Sequence, residues 1–303
     1  MENAAELGNG ILPVIPVAPG LNLPTYFFGA SVACAICVFW CARRADDRGM
    51  DRALALDIAM ALMVFGFIGG RALHVAYEEP LLYWNHPAEI LRFWHGGFVF
   101  FGGAAAAIGA GALVARRRGA RFAEWADFFA PLGALGYLLG RVSCWLTGCC
   151  FGRICYLPAA SLAFRLPTQL LAAATESAAL ASLLWLERAR RQWRNTPLLS
   201  SSPVGPPGSS GAWPAIRAAA RALAQRPGAE FALWLTLHSL GRLAMEAWRA
   251  DDRGPEPLGA SISSWISAAI LFAVAAWVAL AARRARHERS DRLLAPLRAR
   301  ARP

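Results

Sequence analysis

The chain contains no lysine; all 31 of its basic side chains are arginine. Charge is scarce overall, with 17% charged residues against 56% hydrophobic ones. An ordinary soluble domain carries about 25% charged residues, so this composition argues against a soluble fold. Residues 1–20 have no basic leading segment and no compact apolar core, so a conventional cleaved signal is not expected. No internal repeat is visible, and Cys144, Cys149, Cys150 and Cys155 include no Cys-x-x-Cys pair. The net charge is +11. Most of the arginines flank apolar runs, however, which fits nucleic-acid binding poorly. A GC-rich coding sequence is enough to explain the general preference for arginine over lysine, so each arginine's role has to be argued separately.

What the chain has instead is long apolar runs. Several approach the roughly 20 residues that cross a bilayer core. They lie at about Leu21–Cys41, Ala53–Tyr77, Phe98–Ala115, Trp125–Leu146, Thr168–Leu186, Ala229–Trp248 and Ile262–Ala282. Arginine clusters close the first, third, fifth and seventh runs, at Arg43-Arg44, Arg116–Arg118, Arg188–Arg194 and Arg283–Arg286. Positive charge stays in the cytoplasm. The expected fold is therefore an all-α polytopic membrane protein of about seven transmembrane helices, with its N-terminus outside and its C-terminus cytoplasmic. It is expected in the bacterial inner (cytoplasmic) membrane as a multi-pass protein. Residues 1–20 form an N-terminal periplasmic segment and 21–282 the membrane domain. A Ser, Pro, Gly and Arg-rich cytoplasmic insert at 195–226 interrupts that domain, and a basic tail follows at 283–303. The insert reads as a linker, with room for a short basic helix near Ala215–Ala224.

Polar residues at membrane depth cost about 2.5–3.5 kcal/mol each on insertion scales and so call for an explanation. His238, Arg242, Glu246 and Arg249 are spaced by four, four and three residues, which places them on one helical stripe. Such a stripe can hold an anion beside an orienting carboxylate, or form an Arg–Glu pair at the interface. Gly140-Arg141 leads into a loop with glycines at 148 and 152. Glycine lets backbone N–H groups approach a ligand, and such a loop can cradle phosphate or simply make a tight turn. Gly69-Gly70-Arg71 sits with His74 and Glu78 on one face; Arg71 can pair with Glu78 or help hold a headgroup. The paired glycines Gly96-Gly97 and Gly102-Gly103 indicate close helix packing or a flexible mouth to a lipid-facing cleft. All these features fall at outer span ends. An outward-facing pocket lined by Arg141 and Arg242, taking a phospholipid headgroup, is the economical reading.

Cys34, Cys37 and Cys41 share one face of the first span and read as packing. Cys144, Cys149, Cys150 and Cys155 cluster in one outer loop. A disulfide or free thiols rank above a metal site there, since zinc usually adds histidine to a tighter pattern. No metal and no cofactor are expected.

The order of these motifs resembles the prolipoprotein diacylglyceryl transferases. The resemblance rests on Gly69-Gly70-Arg71, the paired glycines opening the third span, Gly140-Arg141 through Gly148 to Gly152-Arg153, Pro167-Thr168-Gln169, and Arg242 with Glu246 and Arg249. It covers about Leu21 to Ala282 apart from the insert. It implies transfer of a diacylglyceryl group from phosphatidylglycerol to the lipobox cysteine of a prolipoprotein signal peptide, with membrane lipids as surroundings and no nucleic-acid partner. By matching, Arg141 and Arg242 bind the phosphate and Glu246 orients Arg242. Gly148 and Gly152 shape the headgroup loop, and Gln169 lines the cleft.

The chain departs from the family pattern at several places. Phe101 stands where a histidine, a candidate base, usually precedes the second glycine pair. Cys144 stands where an asparagine is usual, Phe28 replaces a span-one tyrosine, and His238 replaces a span-six tyrosine. His238 is therefore expected to supply the base, since an imidazole titrates near about pH 6.5. Two alternatives remain at this level. One is a catalytically silent paralogue that binds phospholipid or lipoprotein. The other is a membrane thiol oxidoreductase using the outer-loop cysteines.

Overall fold

The structure is a computed structural model that describes residues 12–18, 21–78, 80–157, 162–195, 219–249 and 257–300. Residues 1–11 of the N-terminal segment and 196–218 of the insert lie outside the described residues, as does the end of the tail at 301–303.

A helix occupies each expected span. They are α1 (Thr25–Arg48), α2 (Arg52–Tyr77), α4 (Phe100–Arg117), α5 (Phe122–Thr147), α6 (Thr168–Asn195), α7 (Ala229–Glu246) and α8 (Ile262–Arg300), with a short α3 (Pro80–Asn85) after α2. Five of them, α1, α2, α5, α6 and α8, are long and apolar enough to cross a membrane. The protein is thus a polytopic helical membrane protein. The other two are 18 residues each. At about 1.5 Å per residue that is about 27 Å. α4 is glycine- and alanine-rich and ends in Arg116 and Arg117, while α7 carries Glu230, Arg242 and Glu246. Many large apolar side chains face outward, among them Phe39, Phe65, Trp185 and Phe272. Such outward faces suit a lipid solvent.

Among the described residues two antiparallel hairpins interrupt the helices, and they had no counterpart in the sequence reading. β1 (Val14–Ala18) pairs with β2 (Leu21–Pro24), and β3 (Ile154–Leu157) with β4 (Leu162–Arg165). The described part of the expected short basic helix is helical over residues 219–224.

The chain divides into two compact units. One comprises Ala30–Leu132. Its core is Cys41, Ala45, Leu54, Ala55, Ile58, Ala115, Trp125, Phe128 and their neighbours. Helix α2 starts on Asp51, whose carboxylate accepts from Ala53 and Leu54 N–H, an N-cap usually worth about 1 kcal/mol. α2 and α4 touch through glycine. A Cβ at Gly103 would come 2.8 Å from the Gly66 carbonyl oxygen, so a larger residue would force the helices apart. The charged Arg44 is buried in this unit, where its Nε donates to the Phe128 carbonyl at 3.2 Å.

The other unit holds residues up to Gly29 and from Gly133 onward. Arg190 on α6 pairs with Glu230 at the start of α7 at 2.6 Å, the carboxylate buried and the guanidinium half-buried. Arg190 also donates to the Arg226 carbonyl at 2.7 Å. Gly133 meets the ring of Trp234, where a Cβ would lie 2.6 Å from Cη2. Ser261 caps α8 by accepting from Ser264 N–H at 3.2 Å.

Candidate functional site

Helix α5 carries Tyr137 and Arg141 one turn apart, so both project from the same face. The Arg141 guanidinium lies over the Tyr137 ring, 4.7 Å from its centroid. The same ring meets the His238 ring edge-on, with centroids 4.6 Å apart and planes at 90°. His238 comes from α7, where Arg242 follows one turn later. Tyr137, Thr175, Glu176, His238, Gly241 and Arg242 line one small crevice. The structure thus brings His238 and Arg242 together, and joins Arg141 to them through Tyr137.

His238 has a partner that the sequence reading missed. Its Nδ1 lies 3.0 Å from Glu176 Oε2 on α6. The other carboxylate oxygen, Oε1, accepts from Trp234 Nε1 at 2.6 Å. Glu176 is only 2% exposed. A buried carboxylate needs such donors, because leaving it unpaired costs several kcal/mol. The available signal was an isolated acid, Thr175-Glu176-Ser177, in the middle of an apolar run.

Arg242 and Glu246 are joined through α8. Arg242 Nη2 donates to Ser263 Oγ at 3.0 Å, and the Ser263 hydroxyl donates to Glu246 Oε2 at 3.3 Å. Ser263 in turn lies 3.1 Å from Ser261 Oγ. Ser263 thus links Arg242 to Glu246, a connection that the sequence reading did not contain.

The glycine loop after α5 is held by backbone bonds. Gly148 adopts φ +74°, the left-handed region that favours glycine. Gly152 is buried between three groups. A Cβ there would stand 2.7 Å from the Leu166 carbonyl and 2.8 Å from that of Trp248. Gly152 forms an isolated bridge with Arg249, and Arg153 N–H donates to the Trp248 carbonyl at 3.0 Å. This tethers the loop to the end of α7 and puts Arg249 beside it. Gln169, expected to line the cleft, instead donates from Nε2 to the Cys149 carbonyl at 2.6 Å. Thr168 does the same for Cys150 at 3.0 Å. The first turn of α6 is therefore a clamp on the loop.

Three of the four loop cysteines converge. The sulfurs of Cys144, Cys149 and Cys150 lie within 4.8 Å of one another. Cys155 stands apart, with its thiol 4.0 Å from the Arg153 carbonyl. The Cys150 thiol is held well below its ordinary range by S–H donation from Cys144 and Cys149, aided by the Arg141 and Arg249 guanidiniums.

The remaining site candidates belong to the unit Ala30–Leu132. Arg71 is buried and spends its donors on the backbone, with Nε to the Ile90 carbonyl at 3.1 Å and Nη2 to that of Glu89 at 2.7 Å. Its Nη1 serves the carbonyls of Gly96 at 2.6 Å and Gly97 at 3.1 Å. Its considered partner Glu78 pairs with His74 instead, and His74 also meets the Tyr83 hydroxyl at 3.0 Å. Gly96 and Gly97 have φ of +90° and +80°, so they serve this turn by conformation. Gly102 packs on Gly69 and Leu73, and Gly103 on Gly66. For that second pair, close helix packing is the reading that holds. Phe101 stacks edge-on against Phe100.

Long apolar helices, with arginine, imidazole and carboxylate lining one crevice, define a polytopic membrane protein with a polar crevice among its helices. Comparison with known proteins narrows the class. The family model for prolipoprotein diacylglyceryl transferase matches residues 13–201, and the chain belongs to that family. A phosphatidylglycerol–prolipoprotein diacylglyceryl transferase of Paenarthrobacter aurescens is 30% identical over 242 residues, covering 78% of this chain and 71% of its own length. A protein of the same name from Aromatoleum aromaticum is 34% identical over 157 residues, covering 49% and 60%. Another, from Oleidesulfovibrio alaskensis, is 37% identical over 142 residues, covering 45% and 53%. The chain spans about half to three fifths of most of the curated relatives it matches.

Proposed function

We propose that this chain transfers a diacylglyceryl group from phosphatidylglycerol to the lipobox cysteine thiol of prolipoprotein signal peptides, at the outer face of the bacterial inner membrane. The observation that carries this reading is the meeting of Arg141 and His238 on one ring, Tyr137, which lines one crevice with Arg242. Arg141 and Arg242 bind the phosphodiester, and guanidinium suits phosphate because it offers paired donors. As the glyceryl C–O bond breaks, the leaving glycerol phosphate gains charge, and fixed cations stabilise that developing charge. His238, oriented by Glu176, takes the thiol proton as the new S–C bond forms. Glu246 acts through Ser263 to hold Arg242. The loop through Gly148 and Gly152, with Arg249 and the Gln169 clamp, shapes the headgroup site. Arg71, Gly96, Gly97, Gly102 and Gly103 contribute within their own unit, by building the turn and the α2–α4 helix pair.

The same proposal includes the topology. Helices α1, α2, α4, α5, α6, α7 and α8 make seven spans over residues 21–282, with residues 1–20 outside. The 195–226 insert and the 283–303 tail are cytoplasmic. The support is that arginine clusters mark alternate span ends, as the positive-inside rule requires.

The test is complementation of a strain depleted of its own transferase. Rescue by the wild-type chain, and none by Arg141→Met, is expected. Correct insertion without rescue would sink the enzyme reading. If that protein still bound phosphatidylglycerol vesicles, it would be the silent lipid-binding paralogue.

A further inference from the structure

The three converging cysteines are not required by any step described above. Their convergence is built by the backbone. Cys144 sits in the last turn of α5, where Thr147 donates to the Ser143 and Cys144 carbonyls. Cys149 N–H donates back to the Cys144 carbonyl at 3.1 Å. Gly148 turns left-handed at φ +74°, and so does Cys150 at φ +60°. A non-glycine residue adopts that region at a cost of about 1–3 kcal/mol, and persists there only when its surroundings over-determine it. Here the α6 clamp of Thr168 and Gln169 on the two cysteine carbonyls supplies that restraint. The result brings Sγ of Cys144, Cys149 and Cys150 within 4.8 Å of one another, from one buried and two half-buried residues.

Three sulfurs bound to one tetrahedral zinc-sized ion, at about 2.3 Å each, lie about 3.8 Å apart. The three sulfurs, all within 4.8 Å of one another, can take up that spacing with little movement, whereas a disulfide would draw two sulfurs to about 2 Å and leave the third unused. Three thiolates and a divalent cation sum to one negative charge. Arg141, one turn before Cys144 on α5, and Arg249, bridged to Gly152 of the same loop, offset it.

We propose that Cys144, Cys149 and Cys150 form a three-sulfur site for a thiophilic divalent cation of the zinc class, whose open fourth position receives the acceptor thiol. The role of the fourth position rests on the transferase reading. Three protein ligands with an open position are the usual pattern of a catalytic zinc site. Chemically, the site closes a gap in that reading. A free thiol is ordinarily a weaker acid than imidazolium by about two pKa units, so imidazole alone takes its proton uphill. A metal-bound thiol gives up its proton outright. The three protein thiols lose their protons as the ion binds. The acceptor thiol then loses its own to His238 as its sulfur takes the fourth position. That sulfur's electron pair forms the bond to the glyceryl carbon. The C–O pair leaves with glycerol phosphate, and no oxidant or reductant is involved. The ion thus places the nucleophile beside Arg141, next to the leaving phosphate.

The experiment uses the full chain, purified reduced in detergent, with Co2+ alone as the probe. One Co2+ per chain is expected, with a thiolate-to-metal absorption that Zn2+ displaces. Metal should shield Cys144, Cys149 and Cys150, but not Cys155, from alkylation read by mass spectrometry. Cys149→Ser or Cys150→Ser should weaken binding roughly tenfold or more, and Cys155→Ser should not. A lipobox-cysteine peptide should then increase the thiolate absorption, while its Cys→Ser version should leave it unchanged. No thiolate band, a band that survives replacement of all three cysteines, or failure to shield the three thiols would overturn the site. A spectrum unmoved by the cysteine peptide would overturn the open position. None of these readouts depends on turnover. A metal-loaded, peptide-binding protein that fails to use phosphatidylglycerol would count against the transferase reading and leave the site standing.

Discussion

Glu176 on α6 holds His238 on α7 by a 3.0 Å contact to Nδ1, and the same carboxylate accepts from Trp234. The imidazole is therefore fixed between a buried acid and the Tyr137 ring, with Arg242 one helical turn away. In the proposed reaction Glu176 is a positioning residue that acts through His238.

In this arrangement His238→Ala removes the proton acceptor, and positioned bases contribute about 10²–10⁴-fold to rate. A fall of that order in kcat is expected, with the protein still inserted. Glu176→Gln keeps the shape and loses the charge, so it should lower kcat less and move the pH profile of transfer. An unchanged kcat in His238→Ala would remove His238 from the mechanism.

In the proposed reaction Arg242 reads the phosphate through a guanidinium fork, whose Nη2 is held by Ser263, itself bonded to Glu246. Arg242→Lys keeps the charge and loses the fork. It should raise KM for phosphatidylglycerol and lower kcat together. Ser263→Ala removes one hydrogen bond to a charged group, worth about 1.5–3 kcal/mol, and is expected to give the same pattern in milder form. Kinetics in phosphatidylglycerol micelles measure both. Equal activity of Arg242→Lys and wild type would show that only charge matters there.

Arg71 is expected to behave differently. Its guanidinium ties four carbonyls, of Glu89, Ile90, Gly96 and Gly97, to α2. A lysine has one ammonium in place of that fork and cannot reach all four. Arg71→Lys should lower the thermal midpoint of the detergent-solubilised protein by several degrees while leaving KM for the lipid nearly unchanged in the folded fraction. A normal midpoint with a raised KM would make Arg71 a headgroup ligand.

How much of this was legible in the sequence differs from one feature to the next. Span limits were legible because apolar runs stop at arginine or proline. The run at Ala53–Tyr77 became Arg52–Tyr77, and Pro167 marks the start of α6 at Thr168. The stripe of His238, Arg242 and Glu246 was legible because helical spacing alone puts those residues on one face. Glu176 was not, because its partners Trp234 and His238 lie about 60 residues away and only packing joins them. The Arg71 clamp was hidden for another reason: its partners are carbonyl groups, which every residue carries. The hairpins were missed because strands of four or five residues give almost no periodic signal. The sulfur cluster depends on a left-handed Cys150, a backbone choice that residue identity does not announce.

Diacylglyceryl transfer at the Tyr137 crevice is the proposed activity. The most direct measurement incubates the purified full-length chain with phosphatidylglycerol and a lipobox peptide and follows the peptide by mass spectrometry. The expected result is a diacylglyceryl adduct on the peptide cysteine, with matching release of glycerol phosphate, no adduct on the Cys→Ser peptide and almost none with Arg141→Met. A folded, lipid-bound protein that leaves the cysteine peptide unmodified would contradict the claim.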